Sequence, residues 1–208
     1  MRKIIVGMTG ASGAIFGVRL LEAMRKARVE THLVMSKWAQ ATIEHEMKIT
    51  VQDVRALASV VHGNANLAAT ISSGSFVTDG MVIVPCSMRT LGAIAHGTGD
   101  NLIHRAADVV LKERRRFVVV PREMPLSDIH LENMLKLSRA GAVIMPPMPA
   151  FYTHPQSLDE MVDHVVARIL DQFGIAAKQA KRWNGKMDAR SKAGVVALGP
   201  ALPADADD

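Results

Sequence analysis

Four short stretches carry side chains that bind or redistribute charge, and each directly follows an apolar run. "TGASGA" (9–14) offers small residues, the Ser12 hydroxyl and the start of a helix, whose free N–H groups suit a phosphate or carboxylate. The glycines in and around it, Gly7, Gly10, Gly13 and Gly17, lack both the G-x-G-x-x-G of a nicotinamide fingerprint and the G-K-[ST] ending of a P-loop. An unliganded strand-to-helix turn would read the same way. "PCSMRT" (85–90) opens a second helix at Ser87, followed by Met88, Arg89 and Thr90. Its Cys86 has no base beside it in sequence, so it reads as a small buried hydrophobe rather than a nucleophile. "PREMP" (121–125) places Arg122 and Glu123 between two prolines, where a guanidinium can hold a phosphate by two hydrogen bonds or simply join a surface ion pair. "PPMPAFYTHP" (146–155) presents Tyr152, the only phenol in the chain, on a proline-stiffened segment.

Further cations lie on helical patterns. Arg105 and Lys112 are seven apart and share a face, with Asp108 and Lys112 spaced for an i,i+4 ion pair. Arg168 flanks the apolar stripe of the last helix. None of the eight histidines falls at a metal-ligand spacing, and the lone cysteine builds no zinc site by itself. No metal is expected.

These groups need a scaffold that brings strand ends together. Apolar runs at 3–8, 29–35, 80–85, 117–121 and 141–146 read as strands buried on both faces. Helical patterns at 14–27, 37–47, 50–58, after 87, 101–116, 128–140 and 158–173 lie between and after them, with Ser36 and Ser87 as caps and Thr50/Asp53 at capping-box spacing. Leu158, Met161, Val162, Val165, Val166, Ile169, Leu170 and Phe173 form one stripe. The alternation predicts an α/β fold, an open parallel sheet with helices on both faces in three layers. Ligands then bind beyond the carboxyl ends of the strands. The polar stretch 62–75 reads as a long loop. One domain is expected over 1–175, then an extension over 176–208, extended or disordered in its later part.

Composition narrows the function classes. The net charge of +5 is modest and scattered, and aromatics make up 4%, so no nucleic-acid surface is expected. No apolar stretch approaches the ~18 residues of a membrane helix. The opening residues read as a strand rather than a signal peptide, and a single cysteine excludes an intramolecular disulfide, so a cytoplasmic location is expected.

Taken together, "MTGASGA", "GMVIVPCSM", "DNLIHRAADVVLKERR", "VPREMPLSDIHLENM" and "PPMPAFY", in this order, make the chain resemble the flavin prenyltransferase (UbiX-like) family. Within it, the chain is most similar to the B subunits of phenolic acid decarboxylases, from about residue 3 to 183. The resemblance implies a flavodoxin-like fold and a homo-oligomer, typically a dodecamer. It implies metal-independent transfer of a dimethylallyl group from dimethylallyl phosphate to N5 and C6 of reduced FMN. The prenylated FMN then goes to a UbiD-type decarboxylase acting on aromatic acids. By the same resemblance, Gly10, Ala11, Ser12 and Ser36 lie against the flavin, and Ser87, Met88, Arg89 and Thr90 receive FMN. Arg122 contacts both FMN and the prenyl phosphate. Lys112, Tyr152 and Arg168 bind that phosphate, with Arg105 near them and Trp183 close to the site. Ser12, Glu46, Lys112 and Glu123 take the catalytic positions, and some of these groups come from neighbouring subunits. A tryptophan that some members carry before the third strand is absent here. Two alternatives share the scaffold: an FMN-dependent cysteine-type decarboxylase and a non-catalytic FMN carrier.

Overall fold

The computed structural model describes residues 1–177 and 181–183. Six strands, β1 (Lys3–Met8), β2 (Glu30–Met35), β3 (Val60–Gly63), β4 (Gly80–Cys86), β5 (Arg116–Pro121) and β6 (Val143–Ile144), form one parallel sheet in the order β3-β2-β1-β4-β5-β6. Seven helices among the described residues cover it: α1 (Ala14–Lys26), α2 (Lys37–Glu46), α3 (Val51–Leu57), α4 (Met88–His96), α5 (Leu102–Lys112), α6 (Asp128–Arg139) and α7 (Leu158–Gln172).

The apolar runs make the strands central because both of their faces must leave water. All seven residues of β4 are buried. Alternate side chains divide two cores. Ile4, Val6, Leu33, Val82 and Val118 face α1, α2, α3 and α7. Ile5, Val34, Met81, Ile83 and Phe117 face α4, α5 and α6. From β1 the chain crosses over one face to β2, and from β4 it crosses over the other to β5. The loops after β1 and β4 therefore diverge at the topological switch, where a crevice opens.

The five strands expected from sequence are β1, β2, β4, β5 and β6, whose order is the flavodoxin one. The sixth, β3, begins in a region without an expected strand and ends inside the stretch expected to be a loop. It is an edge strand with a largely exposed pattern, so it carries no apolar run. Ile71, buried in a short 3-10 turn at Thr70–Ser72, anchors the remainder of that stretch. The helix expected over 101–116 stops at Lys112, because Arg114 takes a φ of 55° and Arg116 already belongs to β5. The last strand shrinks to two residues, and the α7 stripe begins after Leu158, which is exposed. Most of the expected 176–208 extension lies outside the described residues.

Candidate active site

Thr9 closes the floor of the crevice. Its hydroxyl donates to the Pro85 carbonyl (2.9 Å) and accepts the Ser87 N–H (2.7 Å), and its own N–H also donates to Pro85 (3.2 Å). One buried threonine thus joins the loops after β1 and β4. Nothing in the sequence marks this role, since a threonine before a glycine turn signals nothing by itself. The Arg122 N–H donates to the Cys86 carbonyl (3.2 Å) and brings in the loop after β5. Cys86 is fully buried, and burial pushes its thiol well above the ordinary range, so it supplies no thiolate.

At the start of α1, Gly13 occupies the N-cap with a φ of 101°, a left-handed conformation that favours glycine, and provides no side-chain cap. Glu46, the last residue of α2, takes that role from 33 positions away. Its carboxylate accepts the Gly13 N–H (2.9 Å) and the Ala14 N–H (3.0 Å). Burial is the largest single influence on this carboxyl and favours its neutral form. The Ser12 hydroxyl, the Gly13 and Ala14 amides and the Arg122 guanidinium together outweigh burial and hold Glu46 below the usual carboxylate range. Ser12 and Arg122 therefore lie near enough to Glu46 to act on its charge within one chain. The α1 N-terminus, whose amides suit a phosphate or a carboxylate, is filled by a carboxylate of the chain itself.

Ala11 is buried. Gly10 faces Trp38, and a Cβ on Gly10 would fall 2.3 Å from the Trp38 Cβ. Trp38 itself is 71% exposed at the crevice, a large apolar surface two residues after Ser36. The Ser36 hydroxyl accepts the Ala39 N–H (3.0 Å) as the α2 cap.

The second helix start is more open. Ser87 accepts the Thr90 N–H, while the amides of Met88 and Arg89 have no hydrogen-bond partner among the described residues. They border a pocket of about 490 Å³ shared with Asp100, His104 and Asn133. Two unpaired amides at a helix N-terminus, with Arg89 beside them, suit a phosphate monoester.

A second cluster lies on α7. Tyr152, His164, Arg168, Lys181, Arg182 and Trp183 line a pocket of about 370 Å³. Tyr152 meets Trp183 edge to face, with centroids 5.8 Å apart. Asp171 accepts from Arg168 (2.9 Å) and Arg182 (2.7 Å), and Arg182 above all holds its carboxyl below the usual range. His164, Lys181 and Arg182 were missed from sequence. Only His164 left a trace, one helical turn before Arg168.

The remaining cations stand apart. Arg105 donates to the Ser72 carbonyl (3.1 Å) and pairs with Asp108 (2.8 Å), while Lys112 pairs with Glu113. The expected Asp108–Lys112 pair is thus replaced. Asp108 meets the guanidinium one turn earlier, and Lys112, at the helix end, turns to the C-cap residue. Glu123 is exposed and accepts the Met124 N–H (3.0 Å). Helix α5 covers the opposite face of the sheet from α7. Lys112 precedes β5 and Arg122 follows it, and a strand of six residues spans roughly 20 Å. Within one chain, Arg105 and Lys112 do not join Tyr152 and Arg168. Among the described residues no three His, Cys, Asp or Glu side chains are grouped to hold a metal ion.

A family model described as Flavoprotein matches residues 1–170. A probable UbiX-like flavin prenyltransferase of Escherichia coli O157:H7 is 62% identical over 190 residues, 91% of this chain and 96% of the relative. A crystallised dodecameric FMN-dependent UbiX-like decarboxylase from the same organism superposes with a TM-score of 0.87 at 63% identity, covering 88% of this chain and 100% of its own. AnUbiX (PadA1), crystallised in complex with FMN and dimethylallyl pyrophosphate, gives a TM-score of 0.88 at 56% identity over 89% of this chain and 99% of its own. With the strand order, the switch-point crevice and the motifs at the strand ends, this identity means that the chain belongs to the UbiX-like flavin prenyltransferase family of flavoproteins.

Proposed function

We infer that the protein joins a dimethylallyl group from dimethylallyl phosphate to reduced FMN. The observation that carries this is a chain holding an amide-lined crevice and a phenol-bearing cationic pocket, 56% identical to a protein crystallised with FMN and dimethylallyl pyrophosphate. The α4 N-terminus with Ser87, Met88, Arg89 and Thr90 is assigned to the FMN phosphate. Gly10, Ala11, Ser12, Ser36 and Trp38 are assigned to the ring system. Reduced flavin supplies the electron-rich N5 and C6.

The chain's own work is electrostatic. As the allylic C–O bond breaks, negative charge gathers on the departing phosphate. Fixed donors aimed there stabilise the transition state more than the ground state. Lys112, Arg122, Arg168 and the Tyr152 hydroxyl are assigned that role, with Arg105 and Trp183 flanking. Glu46 holds Ser12 and the α1 turn in place. Glu123 is the carboxylate assigned to proton movement at C6, and its exposed position fits a site finished by a neighbouring copy.

The same reading includes a homo-oligomer, for which the dodecameric relative is the precedent. It includes delivery of prenylated FMN to a UbiD-type decarboxylase. It also includes one flavin-binding domain over 1–175 with an extension over 176–208. A cytoplasmic setting fits a chain with one cysteine and a reaction that needs reduced flavin. Anaerobic incubation with reduced FMN and dimethylallyl phosphate is expected to yield a flavin heavier by one prenyl unit. Recovery of unmodified FMN alone would overturn the reading, and turnover of a cysteine-derived substrate would favour the decarboxylase alternative.

A further inference from the structure

His164 lines the Tyr152 pocket and has no role in the reaction as proposed so far. Its Nε2 lies 3.5 Å from the Tyr152 oxygen, and the two rings meet edge to face, centroids 5.8 Å apart at 87°. Its Nδ1 is buried with no partner among the described residues. These facts together select a tautomer. A proton on Nδ1 would be a buried donor without an acceptor, which is costlier and rarer than an under-used acceptor. The proton therefore sits on Nε2 and points to the phenol oxygen. A phenol that accepts from His164 has its own O–H free to turn into the pocket, towards Arg168, Lys181 and Arg182. Hydrogen bonds in series polarise one another, so the O–H becomes a better donor. Trp183 packs edge-on against the same phenol ring and restricts its swing. The 3.5 Å gap is long for a hydrogen bond, as such bonds often are before substrate arrives.

We propose that His164 is a positioning residue, which as the neutral Nε2–H tautomer orients and polarises Tyr152 so that its hydroxyl donates to the departing phosphate. This rests on the prenyltransferase reading. The test compares three substitutions in the full chain with reduced FMN and dimethylallyl phosphate. His164→Phe keeps an aromatic edge and removes the donor. His164→Gln can place an N–H near the Nε2 position, whereas His164→Asn places its amide near the buried Nδ1. The expected result is a roughly tenfold loss of kcat for His164→Phe, the scale of one hydrogen bond, with KM for the prenyl phosphate nearly unchanged. Recovery is expected with Gln and not with Asn. In a Tyr152→Phe background, His164→Phe should cost nothing further. Ring-nitrogen NMR of the ligand-free protein should show His164 protonated at Nε2.

A kcat for His164→Phe equal to wild type, additive losses in the double variant, or an Nδ1–H tautomer would each overturn the proposal. If the Phe variant fails to fold, the Gln–Asn contrast and the tautomer decide. Wild-type protein that makes no prenylated flavin would instead sink the functional reading.

Discussion

Glu46 does for α1 what a ligand's anion does at many α/β switch points, and the Ser12 hydroxyl and the Arg122 charge favour its ionised form. Its depressed folded-state value fixes the sign of a pH effect. A carboxyl bound more weakly by protons in the folded than the unfolded state adds stability fully present above its unfolded value, about 4.3. That stability is lost as pH falls through the lower folded value. Glu46→Gln should therefore lower the urea midpoint at pH 7, and the gap to wild type should narrow at pH 3. A gap of equal size at both pH values would show that charge is not the agent. The phosphate donors give a second prediction at this scale. Lys112→Ala or Arg168→Ala should leave FMN binding intact, because neither residue borders the α4 N-terminus. Prenylation should fall by about 10²–10³, the usual loss for one preorganised donor. Loss of FMN binding in either variant would remove that residue from the prenyl-phosphate set.

Elements whose signal is local could be read from sequence. Thr50 and Asp53 stand three apart, and the capping box forms as that spacing requires: the Asp53 N–H donates to the Thr50 hydroxyl oxygen (3.1 Å) and the Thr50 N–H to Asp53 (2.8 Å). Thr50→Ala should lower stability by about 1 kcal/mol in urea unfolding, with α3 loosened and the flavin site untouched. An unchanged midpoint would mean that tertiary packing alone holds α3. The buried strands were equally legible, since a continuous apolar run has few other uses. What escaped was non-local. Edge strand β3 pairs only on one side, so its composition is that of a loop. The bidentate Arg19–Asp163 contact that ties α1 to α7 links residues 144 apart, and no spacing announces it. The same holds for Glu46 at the α1 amides and Thr9 between two loops. The candidate site was legible as a set of strand-end motifs, through their combined resemblance to a family. Its internal wiring was not, because each bond depends on how two separately folded segments approach.

At the scale of the molecule, the cations divide between the two faces of one sheet. Lys112 and Arg105 lie on the α5 side and Arg168 with Tyr152 on the α7 side, and Lys112 and Arg122 are at opposite ends of β5. A lysine side chain cannot cross roughly 20 Å, so one phosphate cannot meet all of them within a chain. The single chain also exposes Met124, Ile129 and Phe151 at 85%, 68% and 67%, apolar surface that a second copy would remove from water. If these residues serve one phosphate, as proposed, each site is completed across a subunit boundary, and complementation tests that arrangement. A Lys112→Ala chain retains Arg168, and an Arg168→Ala chain retains Lys112. If the two residues of a site come from different copies, co-expression of the two inactive chains should restore activity. With random assembly, roughly a quarter of sites would draw both intact residues, one from each kind of chain. If both residues of a site came from one chain, every site in the mixture would lack one of them and no activity would return. The readout is prenylated flavin per subunit in co-expressed, co-purified oligomers, against each variant expressed alone. A quarter of wild-type turnover would establish the shared site, and none would require the chain to bring its two faces together by a rearrangement of the sheet.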